Sequence, residues 1–537
     1  MPIPPPFPMP YPDTSATLDT ASSTAATPSA TRPSRTKAST IEASAPATTG
    51  AKTATRSPRR STATSSRPLS RAADQADRAA RETVMQLRDE ACDRARPLVK
   101  AGAAPIRVMA RMVDDLEAAC RERNIPQEIV AAEVINRTIG DVDLRRISAR
   151  DDGPEFVSLA DEMGLALPGE VFDGGYVATG ERYRAAHERM LDFERQLLAR
   201  HFDLRMYDLS GVGNPLLREM IAAQTQKEWG FSFPPAQLYL SLGSLDGICK
   251  FWLGYTALLR KQGITSFAAL IPSPGFNVPE WQAQTLGWRM HRVHTRPEDH
   301  FKLTPEDLRQ ALDDAPDLRA FYLTVSNNPT AFAYAPYELR ALFAVIQERR
   351  PDLVIVADLA YIGTADPAED RVRMQAFNDP ETLARTAFCC SYSKSHTLTG
   401  DRCGWVGFGA AQLAQDVGPG WTNSTAALPA EWQLRYMAHV QFFAEHPEIE
   451  QRIRALYLLR RGRLVEHLRR LNTKQQVFAQ INLDDGGTVY NWSQLTPGED
   501  VFSLFSKTGI AGVPGSAFGY SDDFVRLSIG CIPVSAN

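Results

Sequence analysis

The sequence predicts an α/β fold built on a mostly parallel sheet. Four short apolar runs are typical of buried strands, and they cover residues 237–241, 266–271, 320–325 and 353–358. Amphipathic stretches such as 305–312 and 337–346 lie between these runs, as crossover helices would. Ligands of open α/β sheets bind at the carboxyl ends of the strands, so the residues that follow each run are the candidates for function.

Length and composition limit the classes of protein to consider. The chain has 537 residues, of which 43% are hydrophobic, and a formal charge of −4, so two or three domains are expected. This near-neutral balance disfavours nucleic acid or an anionic membrane surface as a partner. No apolar run is long enough to predict a membrane span. The seven cysteines lack metal-ligand spacing, which predicts buried thiols, no metal and a cytoplasmic location.

The first 150 residues divide into two parts of different composition. Residues 1–71 are rich in Pro, Ser, Thr and Ala, which predicts a disordered tail. Their low content of acidic residues is also found in transit peptides and secretion signals, and either role is an alternative. Residues 72–150 place apolar positions three or four residues apart, which predicts a helical extension of two or three helices.

The first candidate site follows the strand that ends at Leu240. The loop 241–247 leads into a helix, so its free N–H groups and the helix dipole can bind an anion. Gly243 permits close approach and Ser244 adds a hydroxyl, although a purely structural turn is an equal alternative. Phe276 follows the strand 266–271 and could lie flat on a ring bound beside that anion, or belong to the core.

Two polar side chains follow the next strands. Asn328 lies in Ser326-Asn-Asn-Pro-Thr330, where its amide can donate to a phenolate. Asp358 ends a very apolar strand, and a buried carboxylate is costly unless a cation accompanies it. A protonated pyridine nitrogen would be a suitable cation, whereas the structural alternative is a helix cap.

The segment Ser391-Tyr-Ser-Lys394, followed by Arg402, completes this set. Lys394 lies in a hydroxyl-rich segment, and an arginine eight residues later can hold an anion. An amine that forms a Schiff base with an aldehyde, beside groups that hold a phosphate, meets the needs of pyridoxal 5'-phosphate (PLP).

Together these motifs resemble the aspartate-aminotransferase-like superfamily, the fold type I PLP enzymes, over residues 155–535. The resemblance rests on Asp358-x-x-Tyr361, on the 36-residue gap from Asp358 to Lys394 and on the run from Ser391 to Gly404. It implies that Lys394 forms the Schiff base and moves the proton, and that Asp358 pairs with the pyridine nitrogen. Asn328 and Tyr361 would bind the ring phenolate. The remaining cofactor contacts that it implies are Gly243, Ser244, Ser391 and Arg402 for the phosphate and Phe276 for the ring.

Two further segments extend the resemblance. Tyr207, in Tyr207-Asp-Leu-Ser-Gly-Val-Gly-Asn-Pro-Leu-Leu-Arg218, corresponds to a tyrosine that reaches the phosphate of a neighbouring subunit, which implies a homodimer. Arg526 would bind the substrate α-carboxylate, with Asn328 beside it. The implied domains are an N-terminal segment of the small domain at 151–204, a large PLP-binding domain at 205–410 and a small α/β C-terminal domain at 411–537.

These roles predict an aminotransferase that moves an amino group from an L-amino acid to a 2-oxo acid. The main alternative is a non-transaminating PLP enzyme of the same fold, such as a lyase, decarboxylase, cyclase or oxidase. A secreted effector or non-catalytic binding protein is a third. Ala331 stands where the family usually has glycine, so the substrate stays open, and His396 is expected to be a loop residue.

Overall fold

The computed structural model describes most of the chain after residue 66. The described residues are 67–142, 144, 147, 149–150, 152–163, 171–172, 176–177, 181–481, 483 and 488–530. The predicted disordered tail lies almost wholly outside this part of the chain, and so does Cys531.

Among the described residues of the region 72–150, for which two or three helices were predicted, there are three α-helices. They are α1 (Arg67–Lys100), α2 (Pro105–Glu122) and α3 (Gln127–Glu133). Helix α1 begins before the predicted boundary at residue 72, and Pro68 lies in its first turn. Proline is tolerated there because the N–H groups of the first turn make no hydrogen bond within the helix.

These helices pack against the C-terminal part of the chain. Arg96 forms an ion pair with Asp500, and the Cys92 thiol lies 3.4 Å from the Phe502 carbonyl oxygen. After α3, strand β1 (Ile135–Asn136) pairs in parallel with a strand near the C-terminus, β13 (Ile510–Ala511). Residues 67–136 therefore form one body with the rest of the described chain.

A seven-stranded sheet forms the centre of the molecule. Its strands are β4 (Leu238–Leu242), β5 (Ala268–Ser273), β6 (Arg289–His294), β7 (Leu318–Thr324), β8 (Val354–Asp358), β9 (Thr386–Ser391) and β10 (Cys403–Phe408). The order is β4-β10-β9-β8-β7-β5-β6, and β10 runs antiparallel to both of its neighbours. The other pairs are parallel, which confirms the predicted fold class.

The central strands are buried on both faces. In β8, Val354 and Val356 join one hydrophobic cluster, whereas Ile355 and Ala357 join the cluster on the opposite face. Side chains alternate between the faces of a strand, so a strand covered on both sides reads as one continuous apolar run. Asp358, the last residue of β8, is the polar exception.

Helices cover both faces of this sheet. The helices that directly precede, separate or follow its strands are α6 (Pro215–Trp229), α7 (Ser244–Lys261), α8 (Val278–Thr285), α9 (Pro305–Asp314), α10 (Pro336–Arg349), α11 (Pro367–Met374), α12 (Pro380–Ala384), α13 (Ala411–Val417) and α14 (Pro419–Thr422). Preceding them are α4 (Leu159–Glu162), the strand pair β2 (Val171–Phe172) and β3 (Tyr176–Val177), and α5 (Glu181–Ala199).

A four-stranded antiparallel sheet forms the C-terminal part. Its strands are β11 (Phe478–Gln480), β12 (Tyr490–Leu495), β14 (Val513–Pro514) and β15 (Phe524–Ser528), in the order β11-β12-β15-β14. The helices of this part are α15 (Ala430–Glu445), α16 (Pro447–Gln475) and α17 (Val501–Thr508). Residues 66–537 form one compact unit, so the domain boundaries at 204 and 410 stay predictions.

The structure bears on two predictions from composition, the absence of a membrane span and the burial of the thiols. Among the helices described, none is long and apolar enough to cross a membrane. Six cysteines of the described chain are free, and five of them are buried as expected, but Cys249 is exposed on α7. The prediction of a buried thiol was wrong at Cys249, because this position of the helix faces outward.

Candidate active site

Gly243, Asp358, Ser391 and Arg402, four of the predicted site residues, lie at one edge of the large sheet. Strands β4, β7, β8 and β9 end at this edge, and the antiparallel β10 begins there. The chain therefore leaves or enters the sheet at Gly243, Asp358, Ser391 and Arg402 within the same region. Ligands of open α/β sheets bind at the carboxyl ends of the strands, and these residues lie there.

At one end of this edge, Arg402 lies against the turn that precedes α7. Gly243 has φ of 82° and precedes α7, whose first residue is Ser244. The Arg402 guanidinium donates to the Leu242 carbonyl at 3.2 Å, so close that a Cβ on Gly243 would overlap it. Ser391 pairs with Gly404 on the neighbouring strand, and a Cβ on Gly404 would lie 2.6 Å from the backbone of Gly243. The Arg402 guanidinium and the N-terminus of α7 therefore lie next to each other, with Ser391 on the adjoining strand.

Asp358 lies buried at the end of β8 and is 5% exposed. Its Oδ2 accepts a hydrogen bond from the Tyr322 hydroxyl at 2.5 Å, and its Oδ1 accepts one from the Ala360 N–H at 3.0 Å. Burial raises the pKa of this carboxyl, and these two hydrogen bonds oppose the rise. No cationic side chain in the described chain pairs with the carboxylate. Among the described residues, Asp358 therefore has two hydrogen-bond donors and no ion-pair partner, and an adjacent cation would stabilise its ionised form.

Lys394 lies in the loop after β9 and contacts a distant part of the chain. Its Nζ donates to the carbonyl of Gly140, and its own carbonyl accepts from the Tyr457 hydroxyl at 2.7 Å. Lys394, Gly140 and Arg402 line a cavity of about 840 Å³ together with residues of α5 and α15, and neither Asp358 nor Arg526 is among its lining residues. The amine thus faces a space large enough for a small-molecule ligand.

Arg526, on β15, has a buried guanidinium that can donate further hydrogen bonds. Its Nη1 donates to Asn328 Oδ1 at 3.2 Å and its Nη2 to the Thr138 carbonyl at 2.7 Å, while its Nε has no partner. The guanidinium lies over the rings of Tyr490 and Phe518, at 4.3 and 5.0 Å from their centroids. No carboxylate pairs with it among the described residues, so this position suits an anionic ligand.

Tyr361 connects these groups. Its hydroxyl lies 3.1 Å from the Tyr490 hydroxyl, and a Cβ on Gly140 would overlap that same Tyr490 hydroxyl. Burial raises the pKa of Tyr361, and Tyr490 raises it further. A chain of contacts therefore runs from Tyr361 through Tyr490 to Arg526 on one side and through Gly140 to Lys394 on the other.

Four residues of this site, Thr138, Gly140, Tyr322 and Tyr490, were not predicted from the sequence. Gly140 is one of 34 glycines, and no local motif distinguishes it. Tyr490 begins a strand and Tyr322 lies inside one, where an aromatic residue is ordinary. The alternation of side chains along β7 and β8 is the signal that could have placed Tyr322 on the same face as Asp358.

Three predicted residues have other surroundings. Phe276 is half-buried in the loop before α8, a loop whose Pro274 carbonyl accepts from Asn327 at 2.9 Å. Tyr207 is 80% exposed and takes no part in the contacts above. His396 is a loop residue as predicted, but it is buried, with its Nδ1 2.7 Å from the Ser395 hydroxyl oxygen.

Comparison with known proteins identifies the family. The profile of the family described as Aminotransferase class I and II matches residues 255–534, just over half of the chain. The chain belongs to this family. The predicted resemblance and aminotransferase activity are thereby confirmed, and the non-transaminating alternative is not favoured. The family is generally PLP-dependent.

Curated relatives share the family over most of their length. The aspartate aminotransferase of Geobacillus stearothermophilus is 27% identical over 60% of this chain and 78% of its own. The aspartate/prephenate aminotransferase of Cereibacter sphaeroides is also 27% identical, over 68% of this chain and 86% of its own. Among solved structures, the Thermus thermophilus aspartate aminotransferase with maleate matches with a TM-score of 0.56 and 19% identity, over 80% of this chain and 94% of that one. The structural match supports the fold.

The contact between Gly243 and Arg402 generates a prediction. Gly243→Ala should lower the free energy of unfolding by about 1–2 kcal/mol, because the left-handed conformation is costly with a Cβ. It should also displace the guanidinium and so reduce the rise in the thermal unfolding midpoint that inorganic phosphate gives. Gly263→Ala is the matched control, since Gly263 has φ of 77° but no atom within 4 Å of the position that a Cβ would occupy. An equal phosphate effect in both variants would argue against an anion site at Gly243.

Proposed function

We propose that this aminotransferase holds PLP at the edge of the large sheet and moves an amino group from an L-amino acid to a 2-oxo acid. The observation that carries the proposal is the buried Asp358 carboxylate, which has no cation beside it in the described chain and lies at the same edge as the anion site. A ligand with a phosphate at one end and a protonated ring nitrogen at the other would satisfy both.

The residues present fit such a cofactor. Arg402 and the N-terminus of α7 would hold its phosphate with Gly243, Ser244 and Ser391, and Asp358 would pair with its ring nitrogen. Asn328 and Tyr361 would donate to the ring phenolate, Phe276 would contact the ring face, and Lys394 would attach it covalently. When bound, the cofactor supplies an electron sink for the carbanion formed at the substrate Cα.

Arg526 is proposed to bind the α-carboxylate of the substrate. Its free Nε and the adjacent Nη2 can form a two-pronged contact with a carboxylate, and Asn328 already fixes Nη1. Arg526 is buried, and the rings of Tyr490 and Phe518 lie against its guanidinium, so little water competes for that contact. A carboxylate held here orients the rest of the substrate toward Lys394.

Lys394 is proposed to move the proton. In its neutral form Nζ can take the proton from the substrate Cα and return it to a neighbouring carbon. The Gly140 carbonyl, which accepts from Nζ, would hold the amine in place between these steps. Because amino acid and 2-oxo acid carry the same carboxylate, both bind at Arg526 in turn, and ping-pong kinetics follow.

A second copy of the chain is proposed to complete the site. Tyr207 and its neighbours Met206 and Leu209 are 80%, 70% and 89% exposed, which is unusual for three large apolar side chains so close together. A homodimer in which Tyr207 reaches the partner's phosphate site would cover them.

Tyr207→Phe should then weaken cofactor binding without lowering monomer stability. A sedimentation experiment that finds a monomeric enzyme at micromolar concentration would contradict the dimer.

The cofactor and the reaction are tested through Lys394. Purified protein mixed with PLP should show the absorbance band of lysine-bound cofactor, and Lys394→Ala should lose both the band and all turnover, whereas Lys261→Ala on the exposed end of α7 should keep both. Aspartate, glutamate and alanine should each be tried, since transfer converts bound PLP to its aminated form. Absence of the band in the unaltered protein would contradict the proposal.

The role of Arg526 gives a separate prediction. Arg526→Lys should lower kcat/KM by about 10-fold to 100-fold, because a single ammonium cannot reproduce a two-pronged contact with the carboxylate. PLP affinity, measured by absorbance titration, should change much less. A loss confined to PLP affinity would place Arg526 at the cofactor and not at the substrate.

A further inference from the structure

Tyr322 is the side chain that the structure places on the Asp358 carboxylate. Strands β7 and β8 are parallel, with Tyr322 opposite Val356 and Thr324 opposite Asp358. Tyr322 and Asp358 therefore project from the same face of neighbouring strands, two positions apart. The phenol O–H reaches Oδ2 at 2.5 Å, a length typical of a hydrogen bond to an ionised oxygen.

The two oxygens of the carboxylate are held from different directions. The backbone N–H of Ala360 donates to Oδ1 at 3.0 Å, so Tyr322 on Oδ2 fixes the plane of the carboxylate. Tyr322 is 2% exposed, and its hydroxyl has no solvent to which it could donate instead. The contact thus lies in the interior of the sheet.

The surroundings make this donor important for the charge of Asp358. The titratable groups around it are Tyr322 on β7, Cys389 and Cys390 on β9, and Tyr361 in the following turn. Burial raises the pKa of each of these four groups, so all are neutral. Burial also raises the pKa of Asp358, and the Tyr322 hydrogen bond acts against this rise.

We propose that Tyr322 is a positioning residue that keeps Asp358 ionised and oriented toward the ring nitrogen of the cofactor. This inference rests on the proposed function, because it concerns the same carboxylate. Tyr322 would act through Asp358 and would not itself touch the substrate or the reacting atoms. Its effect should therefore depend on Asp358 being a carboxylate.

A double-mutant cycle tests this dependence. Tyr322→Phe should raise the Kd for PLP by about 10-fold to 100-fold, as expected for the loss of a hydrogen bond to a charged group. The weakening should grow as the pH falls, because Asp358 without this donor takes up a proton at higher pH. In an Asp358→Asn background, Tyr322→Phe should change the Kd by no more than about twofold, since the charge on which it acts is gone.

The control is Tyr255→Phe, which removes a buried phenol that donates to the Arg319 carbonyl at 3.1 Å. It should leave the Kd for PLP unchanged at every pH. If Tyr322→Phe raised the Kd equally in the unaltered protein and in Asp358→Asn, its role would be merely structural and the inference would be overturned. The absence of any increase in the unaltered protein would overturn it too. Failure of the unaltered protein to bind PLP would overturn the proposed function as well.

A second variant covers the case in which Tyr322→Phe does not fold. Fluorotyrosine at position 322 keeps the shape of the ring and makes the phenol a stronger donor. The pH at which PLP binding is lost should then shift downward, because Asp358 stays ionised to lower pH. An unchanged pH profile would overturn the inference.

Discussion

The buried carboxylate of Asp358 is the constraint on which the rest of the site depends. It ends a strand that is covered on both faces by hydrophobic clusters, so water cannot stabilise its charge. The hydrogen bonds from Tyr322 and Ala360 orient it but bring no positive charge. A ligand that carries a cation into this position would therefore gain both a partner and a fixed geometry, which is the requirement that PLP meets.

The segment that follows β1 connects the two ends of the site. The Thr138 carbonyl accepts from Arg526, and the Gly140 carbonyl accepts from Lys394. These residues precede the part of the chain that the family profile matches, which begins at residue 255. The helices α1 and α3 hold this segment against α17 and β13, with Arg88 donating to the Glu133 carbonyl at 3.0 Å. The N-terminal helices thus contribute to the geometry of the site although they contain none of its predicted residues.

Much of the sheet could be predicted from sequence, because buried strands produce continuous apolar runs. The four predicted runs overlap β4, β5, β7 and β8. Strand β6 was missed because it is an edge strand with exposed Arg289 and half-buried His291, so it has no apolar run. The antiparallel direction of β10 was not predictable either, because the sequence of a strand does not indicate whether its neighbours run parallel or antiparallel to it.

The same distinction applies to the site. Lys394, Asp358 and Arg402 were found because each follows or precedes a strand in a recognisable spacing. The contacts that link them are created by folding, and no local pattern reports them: Tyr361 to Tyr490 spans 129 residues, Lys394 to Gly140 spans 254, and Arg526 to Thr138 spans 388.

Removing the ring nitrogen from the cofactor tests the role of Asp358 most directly. PLP and its analogue with carbon in place of that nitrogen have the same phosphate, phenol and aldehyde. A difference between their Kd values therefore measures the interaction of the ring nitrogen with Asp358. PLP should bind the unaltered enzyme at least about 10-fold more tightly, since the ion pair with a buried carboxylate is lost in the analogue. The difference should disappear in Asp358→Asn. Equal binding of the two compounds to the unaltered enzyme would contradict the central role of the Asp358 carboxylate.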